Sequence, residues 1–187
     1  YALILIVAAL HIIGAAALKR LGLANVLELR NGTMGWVLAG FDLETKPNRP
    51  GPLAPEESRA KAVDLAQRIA EEEKITWISP EALIYASTPN DGGIAYVIDV
   101  RSEGEYENGH IVGSISVPGG QAVQRADDFI AVRNGKIIFV SNRSARAVMA
   151  AYWYGQMGFR DVSVLRGGIQ AWSESGHELA RAAERKE

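Results

Sequence analysis

The sequence predicts an α/β fold with a central, mainly parallel sheet and helices on both faces. Short apolar runs rich in β-branched residues, AYVIDV (95–100), KIIFV (136–140) and VSVL (162–165), are separated by segments of helical periodicity. Such runs are typical of strands buried on both faces, and their alternation with helices is typical of parallel sheets. The 187 residues suffice for one large domain, or for one domain and part of another.

The N-terminal segment is apolar from Tyr1 to Leu18 except for His11, and the basic pair Lys19-Arg20 follows it. By length alone it could cross a membrane. The rival interpretation divides it into a buried strand over about Tyr1 to Ile4, a loop, and a helix that ends at Arg20. Hydropathy does not separate the two interpretations.

An internal repeat favours the strand and helix. Residues 22–36 and 158–172 align at a constant offset of 136, with identical residues at six of the fifteen positions, among them Trp36 and Trp172. Extended backwards without a gap, the offset places Tyr1 to Ile4 on residues 137–140. The chain is therefore predicted to contain two copies of one strand–helix–strand–helix unit, with no membrane span and a cytoplasmic location.

The two copies differ in length, which predicts three regions. Residues 1–44 are the C-terminal half of a degenerate domain, 45–76 a proline-rich linker with a bridging helix, and 77–187 a complete domain. A half-domain leaves strand edges and apolar faces uncovered. We therefore expect residues upstream of Tyr1, or another chain, to pair with the first strand.

The remaining helices, strands and loops are predicted from helix-capping residues and from proline and glycine positions. Pro55 and two glutamates open a helix that runs to about Lys74, and Ser79 caps a second helix whose first residue is Pro80. The later elements are a loop at Thr88–Gly93, a strand at Ile115–Val117 ended by Pro118-Gly119-Gly120, and helices at Asp127–Val132, Ala145–Gly155 and Ile169–Glu174, the last stopped by Gly176.

The charge balance and the absence of Cys exclude several classes of function. There are 20 Lys+Arg and 22 Asp+Glu without a basic block, which argues against nucleic acid as the main partner. The chain contains no Cys, so it has no disulfide, cysteine-based zinc site, iron–sulfur cluster or thiolate nucleophile. We expect neither a metal nor a cofactor.

The most informative loop follows the run KIIFV. In parallel sheets ligands bind beyond the carboxyl ends of strands. Ser141, Asn142, Arg143, Ser144, Ala145 and Arg146 lead from this run into a helix. A small, polar turn at a helix N-terminus presents backbone N–H groups, and two arginines add positive charge, so the loop predicts an anion site. The alternative is a capped helix start with solvated arginines.

Neighbouring motifs resemble the signature of the rhodanese-like sulfurtransferases. Asp99-Val100-Arg101, Glu105-Tyr106, Gly109 to Ser114 and Pro118 match the order D-x-R, E-Y, G-H-I-x-G-[AS], P. The stretch Leu165 to Trp172 is similar to the family's L-x-G-G-x-x-A-W ending. The chain thus looks like part of a tandem rhodanese-like protein.

The resemblance implies a site whose first loop residue is a Cys that carries a persulfide sulfur. It places Ser141 at that nucleophile position and makes residues 142–146 the loop that holds the transferred sulfur and its anionic donor, with thiosulfate or a persulfide as the expected partner. Asp99 and Arg101 are expected to support the loop through hydrogen bonds or a salt bridge. His110 is expected to be structural. In the first copy the offset places Leu5 at the nucleophile position, so that copy is expected to be inactive.

The departure at residue 141 leaves three hypotheses. A Ser hydroxyl forms no anion near neutral pH and cannot replace the sulfur of a persulfide. The first hypothesis is therefore a protein that is impaired in sulfur transfer. Such a protein would regulate or support active domains of the same longer chain or of a second subunit. The second is an active sulfurtransferase, if residue 141 is Cys in the natural protein. The third is a membrane-anchored protein that uses residues 1–18.

Overall fold

The computed structural model describes residues 3–5, 10–20, 22–43, 55–87 and 94–181. They divide between two compact units, here called the N-terminal unit (Tyr1–Ala60) and the C-terminal unit (Lys61–Glu187). The strands are β1 Leu3–Leu5, β2 Val26–Glu28, β3 Thr76–Ile78, β4 Ala95–Asp99, β5 Ile115–Ser116, β6 Lys136–Val140 and β7 Val162–Leu165. The helices are α1 Leu10–Arg20, α2 Gly32–Leu38, α3 Glu56–Glu72, α4 Pro80–Ser87, α5 Glu103–Asn108, α6 Gly119–Gln124, α7 Ala126–Phe129, α8 Ala145–Gln156 and α9 Gly168–Glu174.

The C-terminal unit is built on a parallel sheet whose described strands follow the order β3-β7-β6-β4-β5. β6 lies at the centre, and its last four residues are buried. It pairs with β4 from Ala95↔Lys136 to Asp99↔Val140, so both strands end at the same edge. The predicted α/β class with a central parallel sheet is confirmed.

The connections on the two sides of the sheet run in opposite directions. From β4 the chain moves outward to β5, whereas from β6 it moves outward to β7 on the other side. Because parallel crossovers are right-handed, this reversal places α4 and α5 on one face and α6, α7 and α8 on the other. The carboxyl ends of β4 and β6 therefore flank a topological switch point, where open α/β sheets form a ligand crevice.

Both faces of β6 are packed, as its apolar sequence predicts. Ile138 and Val140 belong to a buried cluster on one face, whose other members are Leu83, Val97, Ile111, Leu165, Ile169 and Trp172. Phe139 alternates to the opposite face, where its ring meets Tyr154 of α8 edge-on at 4.7 Å between centroids. The core thus fixes the strand that leads into the candidate loop.

The cap signals in the sequence predict the start of α4 correctly, whereas the glycine pair after Pro118 does not predict the helix that begins there. The backbone N–H of Ala82 donates to Ser79 Oγ at 3.2 Å, with Pro80 as the first helical residue. Gly119-Gly120, interpreted as a strand-ending turn, instead forms the first turn of α6, with Pro118 as its N-cap. The helix predicted over 127–132 is the shorter α7, and the edge strand β3 was not predicted.

The N-terminal unit repeats the order strand, helix, strand, helix. The offset of 136 carries α2 onto residues 168–174, the bounds of α9, and β2 onto 162–164 within β7. The apolar start thus contains β1 and α1, as the rival to a membrane span predicts. Within the described residues, no helix is both long and apolar enough to cross a bilayer.

The placement of Leu5 is a correction. β1 pairs in parallel with β2 in the register Leu3↔Val26, whereas Ile137 takes the corresponding place opposite Val162. Leu5 is therefore the last residue of β1, paired with Glu28, and not a loop residue equivalent to Ser141. The ungapped alignment fails by two residues, a shift that keeps the alternation of side chains between the two faces. Residues 6–9 and the predicted boundary at 44/45 lie outside the described residues.

Candidate active site

The candidate site lies at the switch point beyond β4 and β6. Arg101 follows the end of β4 and Ser141 follows the end of β6. These two ends are neighbours because Asp99 pairs with Val140. The sheet topology therefore brings together the segments 99–101 and 141–146, which are far apart in the sequence.

Ser141, the residue at the predicted nucleophile position, is 1% exposed. Its Oγ accepts a hydrogen bond of 3.4 Å from the backbone N–H of Ala147, in the first turn of α8. This bond stands in for an N-cap, because the N-cap residue Ser144 makes no side-chain cap. Among the described residues, no imidazole or carboxylate hydrogen-bonds the Ser141 hydroxyl, so a general base that would activate it is lacking there.

A substitution that removes the Ser141 hydroxyl tests this capping role. Ser141→Ala leaves the buried N–H of Ala147 without its acceptor, and we expect a loss of about 1 kcal/mol in the free energy of unfolding. Urea denaturation followed by circular dichroism measures the change. Ser175→Ala, which removes an exposed hydroxyl at the C-cap of α9, is the control and should shift stability by less than about 0.5 kcal/mol. Equal stability of the Ser141 variant and the wild-type protein would contradict the capping role.

The loop backbone is held by the start of α9. The carbonyl of Ser141 accepts from the N–H of Ile169 at 2.9 Å, and that of Asn142 from the N–H of Gln170 at 3.5 Å. This approach requires Gly168, whose φ is +61° and whose place leaves no room for a Cβ: one would lie 1.9 Å from the Ser141 carbonyl oxygen. The Gly-Gly pair of the sequence motif thus has a steric function beside the site.

Ser144 closes the loop in the left-handed region at φ +71°, which few non-glycine residues adopt. Its hydroxyl is buried and donates to the carbonyl of Leu165 at 3.0 Å. Asn142, Arg143 and Arg146 are exposed, whereas Ser141 and Ser144 are buried. The loop therefore meets solvent through its amide and guanidinium side chains.

Asp99 and Arg101 form a buried ion pair beneath the loop, with exposed side-chain fractions of 0% and 5%. Arg101 donates to both carboxylate oxygens through Nε and through Nη2, the last at 2.7 Å from Oδ2. Its remaining donors reach the carbonyl of Gly109 at 2.6 Å and Asn142 Oδ1 at 3.2 Å. This pair joins the end of β4 to the loops that contain Gly109 and Asn142.

Glu105 is the site residue that sequence reasoning missed. Its carboxylate accepts two hydrogen bonds from the fork of Arg146, at 2.7 and 2.8 Å, and one from Asn142 Nδ2 at 2.7 Å. It also accepts from the backbone N–H and the hydroxyl of Ser102, which completes a capping box at the start of α5. The S-x-x-E pattern at 102–105 is a signal for the cap, but not for the contact with Arg146.

The Glu105 contacts determine the charge of the loop. Hydrogen bonds from Arg146, with a further contribution from Ser102, lower the pKa of Glu105 to about 2 against the opposing effect of burial. The carboxylate is therefore ionised at neutral pH, and it offsets the charge of one of the two loop arginines. Since its pKa is depressed in the folded state, the stability from these contacts is fully present above pH 4.5 and is lost as the pH falls toward 2.

His110 lies in structural contacts. Its ring stacks on Tyr106 at 3.8 Å between centroids, and Nδ1 lies 3.0 Å from the Tyr106 carbonyl oxygen. The backbone of His110 also forms an antiparallel bridge with Ala180. These contacts anchor the C-terminal segment and leave the ring without a contact to Ser141 among the described residues.

Comparison with known proteins agrees with this geometry. The family described as the rhodanese-like domain matches residues 83–175. The crystal structure of a thiosulfate sulfurtransferase from Pseudomonas aeruginosa is similar to 92% of this chain and 32% of that chain, with a TM-score of 0.79 and 34% identity. The matched family region contains β4, β6 and the loop between β6 and α8.

Two proteins of Bacillus subtilis are also similar. The uncharacterized protein YqhL is 33% identical over 79 residues, which are 42% of this chain and 60% of YqhL. YrkF, provisionally named a sulfur carrier protein, is 31% identical over 77 residues, which are 41% of this chain and 40% of YrkF. The chain thus spans less than two thirds of either relative.

Proposed function

Since the chain belongs to the rhodanese-like family through its domain at residues 83–175, we propose that the loop 141–146 binds small anionic sulfur compounds and that Ser141 prevents efficient sulfur transfer. The sulfurtransferase similarity supplies the class of ligand. The chemistry of residue 141 argues against turnover, and the loop geometry supports binding.

The observation that carries the binding proposal is the set of unused donors at the start of α8. Among the described residues, no hydrogen bond uses the backbone N–H of Ser144, Ala145 or Arg146. Unpaired N–H groups at the first turn of a helix, with the positive end of its dipole, favour an anion. The exposed Arg143 adds a positive charge beside them.

The case against turnover is chemical. In persulfide transfer a thiolate attacks the outer sulfur of thiosulfate, sulfite leaves, and cyanide then takes the sulfur as thiocyanate and releases the thiolate. A helix N-terminus assists this by lowering the pKa of a thiol. The Ser141 hydroxyl has neither the required pKa nor, among the described residues, a neighbouring base.

The N-terminal unit supports a tandem arrangement. Its element order matches that of β6, α8, β7 and α9, the offset of 136 residues carries β2 and α2 onto β7 and α9, and the similarity to the P. aeruginosa structure extends over 92% of the chain. We propose that residues 1–44 belong to a degenerate copy, because the sequence between β1 and α1, residues 6–9 (IVAA), contains no nucleophile and no arginine. The chain would then regulate or support active domains of a longer chain or of a second subunit.

A gain of activity tests the proposal. Ser141→Cys places a thiol at the loop and should raise thiosulfate:cyanide turnover by about 100-fold or more over the wild-type chain, with thiocyanate as the measured product. Ser175→Cys, which places an exposed thiol at the C-cap of α9, is the control and should remain at the wild-type level. Robust turnover by the wild-type chain would overturn the proposal, as would equal activity of the two Cys variants.

A further inference from the structure

We propose that Glu105, on α5 beside the loop 141–146, determines the specificity of that loop and makes the loop favour singly charged anions over doubly charged ones. The ligand class would then be monoanions such as persulfides or hydrosulfide, in preference to dianions such as thiosulfate or sulfate. This inference rests on the proposed anion-binding function of residues 141–146.

The first support is geometric. A planar guanidinium binds an oxyanion best through two parallel N–H···O bonds. Arg146 already makes such a pair, from Nη1 to Oε2 and from Nη2 to Oε1 of Glu105. An oxyanion that arrives from solvent therefore finds this fork occupied by a carboxylate of the chain itself.

The second support is that hydrogen bonds hold the Glu105 carboxylate in place. It accepts five hydrogen bonds, from the backbone and hydroxyl of Ser102, from Asn142 and from both ends of the Arg146 fork. Displacing Glu105 would break the capping box of α5 as well as the contacts with α8. A ligand is thus expected to bind beside the carboxylate and to experience its charge.

The third support is electrostatic. Asp99 and Arg101 neutralise each other beneath the loop, and Glu105 does the same for Arg146 at its edge. Each unit of negative charge on the ligand is repelled by Glu105, so a dianion loses twice as much binding free energy as a monoanion. The factor by which the Glu105 charge lowers the affinity for a dianion is therefore the square of the factor for a monoanion.

The variant Glu105→Gln tests this relation. We expect its affinity to rise about 3-fold for nitrate and about 10-fold for sulfate, as unit charges about 6 Å apart in water predict. Glu103→Gln removes the same charge two residues earlier on α5, without opening the fork, and should have a smaller effect. Dissociation constants come from the backbone amide shifts of residues 142–146 in titrations of each sodium salt at constant low ionic strength.

Two further measurements keep the test decisive. The wild-type chain should bind nitrate at least as tightly as sulfate, and a tenfold preference for sulfate would overturn the inference without any variant. Glu105→Gln combined with Arg146→Gln restores the original charge and should return both affinities to within about twofold of the wild type.

The outcomes separate the two proposals. In one outcome, the anion loop binds both salts but Glu105→Gln changes neither the nitrate nor the sulfate affinity, or changes both by the same factor. That result overturns the role of Glu105 and leaves the anion loop intact. If neither salt shifts the amides of residues 142–146 in any variant, the anion loop itself is wrong, and the role of Glu105 with it.

Discussion

Replacement of Gly168 by Ala is expected to destabilise the C-terminal unit by about 3 kcal/mol or more. The added Cβ would lie 1.9 Å from the carbonyl oxygen of Ser141 and 2.7 Å from that of Asn142. Both neighbours are backbone atoms, so relief requires the loop or α9 to move. The φ of +61° adds the conformational penalty of an L-residue in the left-handed region.

A glycine just beyond the same helix provides the control for this prediction. Gly176 follows α9 with φ +82°, and a Cβ there would meet nothing within 4 Å. Gly176→Ala should therefore show the conformational penalty alone, about 1 kcal/mol. The difference between the two unfolding free energies, measured by urea denaturation, isolates the steric clash. Equal losses would show that the loop accommodates the Cβ and that Gly168 does not hold Ser141 in place.

Replacement of Asp99 by Asn is expected to destabilise the protein by about 3–5 kcal/mol. Asp99 is fully buried, and the guanidinium beside it is nearly so. The substitution leaves the charge of Arg101 in the interior without its counter-ion, and removal of one partner of a buried pair costs far more than the net value of the pair. Arg101 also orients Asn142, so the loop should loosen together with the core.

An exposed ion pair of the same type is the matched comparison. Arg125 and Asp128, three residues apart, form an ion pair whose side chains are 58% and 46% exposed. Asp128→Asn should change the unfolding free energy by less than about 1 kcal/mol, because water screens both charges. Thermal and urea denaturation of the two Asn variants measure the contrast. A loss at Asp99 no larger than that at Asp128 would contradict the assignment of the pair as a buried structural element.

The fold and much of the site follow from local sequence signals. β6 and β7 have the predicted bounds because their apolar runs are buried on both faces and are bounded by turn residues. The loop after β6 follows from the rule that ligands bind beyond the carboxyl ends of strands. Ser79 and Pro80 mark the start of α4 by the chemistry of helix caps.

The features that escaped prediction depend on contacts distant in sequence. Glu105 and Arg146 are 41 residues apart, and only the pairing of β4 with β6 brings them together. Leu5 was misplaced because an ungapped offset cannot show that the paired residues Leu3 and Val26 are two residues closer in the sequence than Ile137 and Val162. Gly119-Gly120 can form a turn or a first helical turn, and the tertiary packing of α6 against α8 selects the helix, with the Tyr154 hydroxyl donating to the carbonyl of Ala122 at 2.8 Å.

The shared hydrogen bonds of Glu105, Asn142 and Arg101 have a thermodynamic consequence for binding. They hold the side chains of the loop in one arrangement before any ligand is present. A ligand that enters such a preorganised site need not supply the conformational entropy of ordering it, which for rotamer-rich side chains is about 0.5–1.5 kcal/mol each. If the proposed anion site exists, it would therefore need few contacts to hold its ligand reversibly.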